Sequence, residues 1–370
     1  MRCIEVKTEP SYQVWIGPAL TSQIGKLLNP IAHGHTVIVL SDMYVDPLYG
    51  EAVCSAIEDY GIEVKSIPFM VDDNSKDLAL VESLLSTLTQ QSVSRNDVLL
   101  ALGGGLAIDV VTMAAALYLR GVKVVHMPTT LVAMVDAAIG GKADINIPEG
   151  PDMAGVNYQP EMVVADIDLL ASLPEHEIRN GMGEIIKYAV IEKGTLYGRL
   201  REHIGRSHMD ELERAIGDCA EIKANIISEN PTSSQRGVLD LGRMPGQVIE
   251  QLTDNAIGHG EAIGLGMLIM AYGTGNTKTG DRIKALLDEY GLLTCFEWPE
   301  REFISAALFK HNTNAYYTVI IPEMIGKCEF KRVRTRELTS ILKKGLSAVR
   351  PKKESSKRLL RLKNLRRARS

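Results

Sequence analysis

Unbroken apolar runs alternate with helix-length stretches through the first half of the chain. HTVIVLSD (His35–Asp42), DVLLALGGG (Asp97–Gly105), VKVVHMPTT (Val122–Thr130) and MVVADIDLL (Met162–Leu170) each close on turn residues. Runs of this kind are the mark of strands buried on both faces. Segments such as AIDVVTMAAALYLRG lie between them at helical length, and strands alternating with helices predict a parallel sheet. After about Pro174 the strand signal fades. EIRNGMGEIIKYAVIEKG, MDELERAIGDCAEIKANIISE and HGEAIGLGMLIMAYG carry apolar residues at helical spacing, and YYTVIIPEMIG (Tyr316–Gly326) reads as a late strand or hairpin. The expected organisation is an α/β domain over 1–174, a mainly α-helical domain over 175–342 and a tail over 343–370.

Composition narrows the class without changing that outline. The 370 residues are 45% hydrophobic and 24% charged, with mean hydropathy near zero. Such a chain is long enough for two globular cores, and its composition excludes collagen-like, disordered and disulfide-scaffold classes. No apolar run reaches the roughly 18 residues of a membrane span, and no signal-peptide pattern opens the chain. Cys3, Cys54, Cys219, Cys295 and Cys328 are odd in number, scattered and never spaced CxxC. Reduced thiols in a cytoplasmic protein are expected.

Charge is uneven. From Lys343 to Ser370 there are 12 Lys or Arg against Glu354 alone, while the whole chain carries −5. An acidic body therefore ends in a basic tail. Its leucines at 359, 360, 362 and 365 allow a basic amphipathic helix that touches RNA or acidic lipid. A solvated, poorly ordered end is the simpler expectation, with neither nucleic acid nor membrane as partner.

The candidate chemistry begins at Gly103-Gly104-Gly105, where a strand gives way to a helix, with Asp109 one turn later. Glycines let backbone approach a ligand, and free N–H groups at a helix start favour a pyrophosphate. Alone, a turn that simply packs helix on strand has the same letters. Thr129 and Thr130 end the next strand, at the edge where α/β sheets bind ligands. Asp136, Lys142 and Asn146 follow in MVDAAIGGKADIN.

Taken together, LLALGGGLAIDVVTMAAALYLRG, VVHMPTTLVAMVDAAIGGKADINIPEG, GMGEIIKYAVI and GHGEAIGLGM resemble 3-dehydroquinate synthase and its sugar-phosphate cyclase relatives, in order and spacing from about Ser41 to Pro322. The resemblance implies an α/β N-terminal nucleotide-binding domain with a parallel sheet and a mainly α-helical C-terminal domain holding metal and substrate. It implies a carbon–oxygen lyase acting on phosphates. A seven-carbon sugar acid phosphate, 3-deoxy-arabino-heptulosonate 7-phosphate, becomes 3-dehydroquinate on the shikimate route to aromatic amino acids. In that family an alcohol is oxidised by NAD, phosphate is eliminated, the ketone is reduced again and the opened ring closes by an aldol step. A cytoplasmic homodimer is also implied.

Residue by residue, Asp42, Asp73 and Lys76 match adenosine- and ribose-side positions. Gly104, Gly105 and Asp109 match the pyrophosphate turn; Thr129, Thr130 and Lys142 match the next NAD contacts. Arg120 matches a phosphate-binding arginine. Glu184 and His259 match ligands of a divalent metal, zinc or cobalt, while Lys187, Lys223, Arg236 and Lys142 match catalytic or substrate-binding cations.

The chain departs from the family pattern in one region above all. Where the family has GHxxGH, this sequence has GRMPGQ, so Arg243 and Gln247 stand at two histidine positions and the metal site is incomplete. Arginine has no lone pair to give a metal. Asp240 replaces an asparagine, Pro151-Asp152 replaces Lys-Asn, and HNTN (311–314) replaces a lysine-bearing stretch. Pro245 predicts a kink. Spaced i, i+4, i+7, i+11, Arg236, Asp240, Arg243 and Gln247 would share one face of an unbroken helix, with Arg243 near Glu184 in place of the metal. The alternatives to a working cyclase are an impaired NAD-binding relative of the same fold and an NAD-dependent polyol dehydrogenase.

Overall fold

The computed structural model describes residues 1–201, 209–229, 234–309 and 316–351. The chain divides into two compact units, Met1–Ile178 with His208–Pro231, and Arg179–Ser207 with Thr232–Ser370.

A seven-stranded sheet organises the first unit. Its strands are β1 (Arg2–Val6), β2 (Tyr12–Gly17), β3 (Val37–Asp42), β4 (Val64–Phe69), β5 (Val98–Gly103), β6 (Lys123–Pro128) and, after a separate hairpin of β7 (Lys142–Ile147) and β8 (Gly150–Asn157), β9 (Met162–Asp166). The spatial order is β1-β2-β9-β6-β5-β3-β4. β1 is antiparallel to β2, and every other neighbour runs parallel. Every residue of β5 and β9 is buried, which is why both read as unbroken apolar runs. The run through Leu170 stops earlier than expected. The Asp166 carboxylate accepts the Asp168 N–H and turns the chain into the 3-10 helix Ile167–Ser172.

The expected division at residue 174 needs correcting, because the helix Met209–Glu229 belongs to the first unit. Leu212, Ala215, Ile216, Cys219 and Ala220 are its buried face. Arg2 of β1 donates to Asp218 at 3.0 Å and pairs with Glu221, and the N-terminal ammonium meets Glu213 at 3.2 Å. Helical periodicity shows that a face is buried, not which core receives it.

The second unit is mainly helical. Its described helices include most of Glu175–Ile191, then Arg243–Thr253, His259–Gly273, Thr277–Glu289, Glu300–Phe309 and Thr335–Ala348. β10 (Tyr316–Met324) pairs antiparallel with β11 (Lys327–Arg334). The helix His259–Gly273 is buried along nearly its whole length. It meets Glu175–Ile191 backbone to backbone, since a Cβ on Gly183 would lie 2.2 Å from the Gly260 carbonyl oxygen.

Two further expectations change. Pro245 causes no kink, because it is the third residue of Arg243–Thr253, in the first turn where its missing N–H has no intrahelical acceptor to lose. Nor do the four residues from Arg236 to Gln247 share one helix. Arg236 and Asp240 lie in the 3-10 helix Ser234–Asp240, and Gly242, at φ 78°, redirects the chain before Arg243. The tail does not begin at Lys343, which sits inside Thr335–Ala348, where Leu338, Ile341, Leu342 and Leu346 are buried. Residues 352–370, and the HNTN segment, lie outside the described residues.

Candidate functional site

In the first unit the glycine turn is packed from several sides. A Cβ on Gly103 would come within 2.7 Å of the Ala107 Cβ and 3.2 Å of the Asp42 Cβ. One on Gly104 would meet the Thr130 Cγ2 at 3.1 Å, so bulk is excluded where the backbone must lie open. Gly104 caps the helix Gly105–Leu117 with extended backbone. Thr129 donates its N–H to the Gly103 carbonyl at 2.9 Å, and the Thr130 hydroxyl accepts the Ala133 N–H at 3.2 Å. The Asp42 carboxylate accepts the Tyr44 N–H at 2.9 Å, and burial pushes its pKa up against that bond.

Beside this turn stands a charged cluster. Lys76, 5% exposed, reaches the Asp109 carboxylate at 2.6 Å and the Asp152 carboxylate at 3.0 Å. Burial pushes the Asp109 pKa up to about 6, against the lowering pull of Lys76. Burial opposes charge on Lys76, but the two carboxylates outweigh it and raise its pKa. The Asp73 carbonyl accepts from the Asn146 side chain at 2.8 Å, tying the 72–77 turn to the hairpin. Lys142, half exposed, pairs with Asp144 at 2.7 Å. Lys223, on Met209–Glu229, donates to both the carboxylate and the carbonyl of Asp136 at 2.7 Å. Arg120 is not brought to this group. It follows the C-terminal end of the 13-residue helix Gly105–Leu117, about 20 Å along the axis from the glycine turn.

The second unit holds its own cluster. Glu184, fully buried, takes the Lys187 ammonium at 2.5 Å and the His259 Nε2 at 3.2 Å. His259 Nδ1 faces the Glu250 carboxylate at 2.6 Å. Burial works against a charged imidazole here, yet the hydrogen bonds and charges of Glu184 and Glu250 win and raise its pKa to about 10. The Gly183–Gly260 contact brings these side chains together, and Asn180 fixes it by accepting the Gly260 N–H at 2.5 Å. Arg243 pairs with Asp240 at 3.3 Å. Arg236 is half-buried on its 3-10 helix.

The family model for the N-terminal part of 3-dehydroquinate synthase matches residues 66–180, and that for its C-terminal part matches residues 181–311. The chain belongs to the 3-dehydroquinate synthase family. The synthase of Clostridium acetobutylicum is 29% identical over 354 residues, 93% of this chain and 99% of that protein. The Synechocystis synthase is 36% identical over 288 residues, 75% of this chain and 80% of its own length. The crystal structure of 2-deoxy-scyllo-inosose synthase with carbaglucose-6-phosphate, NAD+ and Co2+ shares the fold, with TM-score 0.82 at 20% identity, covering 92% of this chain and 99% of that one.

Membership in the synthase family raises the question of the metal, and among the described residues the side chains do not fit one. A metal at His259 Nε2 would find Glu184 there, but Glu250 lies on the Nδ1 side of the ring, where it orients the imidazole instead of joining the coordination sphere. The third family position is the Arg243 guanidinium, which cannot coordinate. Among the described residues no group of three or more His, Cys, Asp and Glu is arranged to hold a metal ion.

Glu250, Asn180 and Asp152 were not among the site residues expected from sequence. Glu250 had a local signal, an acid seven residues after Arg243 on the same helix. Asp152 showed only as a departure from the family pattern. Asn180 had no signal, since its role depends on a crossing of two distant helices. No described helix is long and apolar enough to cross a membrane.

Proposed function

We propose that this chain binds NAD in its first unit and carries out the reaction of a 3-dehydroquinate synthase. It would convert 3-deoxy-arabino-heptulosonate 7-phosphate to 3-dehydroquinate with loss of phosphate, on the shikimate route, as a cytoplasmic homodimer. The observation that carries this reading is the Lys187–Glu184–His259–Glu250 chain, in which Glu184 and Lys187 are buried and His259 and Glu250 reach the surface. Burying ionisable groups costs several kcal/mol per ion before pairing returns any of it. A unit kept for shape alone gains nothing from such an arrangement, whereas a site that handles protons and anions requires it.

Bound NAD supplies a hydride acceptor that is regenerated within the turnover. The glycine turn and the start of Gly105–Leu117 present N–H groups to its pyrophosphate. The Lys76–Asp109 pair stands beside that turn, and Thr129, Thr130, Asp42, Asp73 and Lys142 surround the cofactor's remaining parts. The Lys187 ammonium and the His259 imidazolium hold positive charge where a substrate hydroxyl must give up its proton, favouring the alkoxide as it forms. Glu184 keeps both cations in place. Lys223 and Arg236 are the cations assigned to phosphate and carboxylate of the substrate, and Arg120, at the far end of its helix, is left out of that assignment. No step is assigned to a metal ion.

The test is release of inorganic phosphate from the seven-carbon substrate, with NAD present and with and without chelator. One phosphate per 3-dehydroquinate, without net NADH, is the expected result. A second reading, an NAD-binding relative that does not turn over, is favoured by Arg243 and Gln247 at the two histidine positions. Tight NAD binding without phosphate release would establish it. Asp109→Ala should weaken NAD binding under either reading.

A further inference from the structure

We propose that Asp152 sets the affinity of the dinucleotide site, acting as a built-in carboxylate that competes with the anionic part of the cofactor for Lys76. The inference rests on the reading of the first unit as an NAD site. An ammonium has three N–H donors, and Lys76 directs them at Asp109 (2.6 Å) and Asp152 (3.0 Å) from a position 5% exposed. Little water reaches it, so a third party gains its charge only at the expense of these carboxylates.

Asp152 is held in place for this contact. Its backbone is left-handed, at φ 55°, and its N–H donates to the Asn146 side-chain oxygen at 3.0 Å. Asn146 is itself fixed on the Lys76 turn. Its N–H donates to the Lys76 carbonyl at 2.8 Å and its side chain to the Asp73 carbonyl at 2.8 Å. The hairpin of β7 and β8 therefore delivers a carboxylate to Lys76 by three linked contacts.

The consequence is electrostatic. One ammonium faces two carboxylates within a turn of a helix start whose N–H groups favour a pyrophosphate. Asp144 adds a further negative charge acting on Asp109, itself paired with Lys142 at 2.7 Å. An incoming pyrophosphate meets a site whose Lys76 charge is already more than matched. Asp152 thus lowers affinity for anionic ligands in particular and leaves neutral ones alone.

The variant Asp152→Asn removes the charge, keeps the shape and suits the left-handed backbone, which asparagine adopts readily. Calorimetry with NAD+, ADP and adenosine on the full chain separates the cases. The expected result is about tenfold tighter NAD+ and ADP binding in the variant, with adenosine unchanged within about twofold. Equal NAD+ and ADP affinities in the two proteins would overturn the proposal. So would a parallel shift for adenosine, which would mark a structural role. Binding of NAD+ by neither protein would overturn this proposal and the cofactor reading together, whereas binding only by the variant would support both.

Discussion

The two units bury their charges in opposite ways. Around Lys76 a single ammonium serves two carboxylates, and the only buried histidine of that unit among the described residues, His126, is kept neutral. Its Nδ1 lies 2.8 Å from the Ala138 carbonyl and its Nε2 2.8 Å from the Thr112 hydroxyl. Burial drives its pKa down to about 4. Around Glu184, by contrast, two cations and two carboxylates alternate, and His259 is held charged between its acids. A histidine between neutral partners in the core loses its charge; one between carboxylates, in a partly exposed position, keeps it.

The largest effect expected from disturbing this contrast is at Glu184. Glu184→Ala leaves Lys187 and His259 without the carboxylate between them, and should cost about 3–5 kcal/mol in urea unfolding. Next comes pH, with opposite signs for the two histidines. His126 has a folded pKa below its ordinary 6.5, so its contribution is complete above about pH 6.5. It is lost as pH falls toward 4, about 3 kcal/mol in all. His259 has a folded pKa above 6.5, so its contribution is complete below pH 6.5 and is lost as pH rises through about 10. The free energy of unfolding measured across pH should therefore decline at both ends, and His126→Gln should flatten the acid limb alone.

A smaller shift should follow from restoring donors. In the double variant Arg243→His with Gln247→His, added zinc should raise Tm by about 5 °C, while the unaltered chain should show no change. An equal response in both would mean that another side chain completes a metal site. The smallest effect is expected at Lys142, whose exposed pair with Asp144 contributes under about 1 kcal/mol. Lys142→Ala should leave Tm almost unchanged and weaken NAD binding, so that any large loss of stability would count against a ligand role.

β3, β5, β6 and β9 were legible because each is buried on both faces, as in VLLALG of β5, whereas β2 and the edge strand β4, with exposed and half-buried positions, were not named. Nor was the hairpin of β7 and β8. In β8, GPDMAGVN alternates half-buried and exposed residues, and its glycines and proline carry little strand preference. The glycine turn and the threonine pair stood out because such residues at strand ends mark a ligand edge, whereas Asp42, Asp73 and Lys76 were named by resemblance alone. Arg120 was placed by resemblance, and only the fold shows it at the far end of a helix. The Glu184 cluster was half legible. Lys187 follows Glu184 by one turn, but Glu250 and His259 reach it only through tertiary contacts.

The helix Met209–Glu229 gives the first unit a discontinuous chain, with β1 held by residues more than 200 positions later. During synthesis the first unit cannot close when its sheet has emerged from the ribosome. It must wait, with the part of β1 that Met209–Glu229 covers exposed, until the chain beyond Ile178 has been made and that helix has followed. A gene fragment stopping at Ile178 would encode every strand of the sheet and still yield a sticky, incomplete product. Supplied as a separate peptide, residues 209–229 should then bind that fragment and restore its solubility.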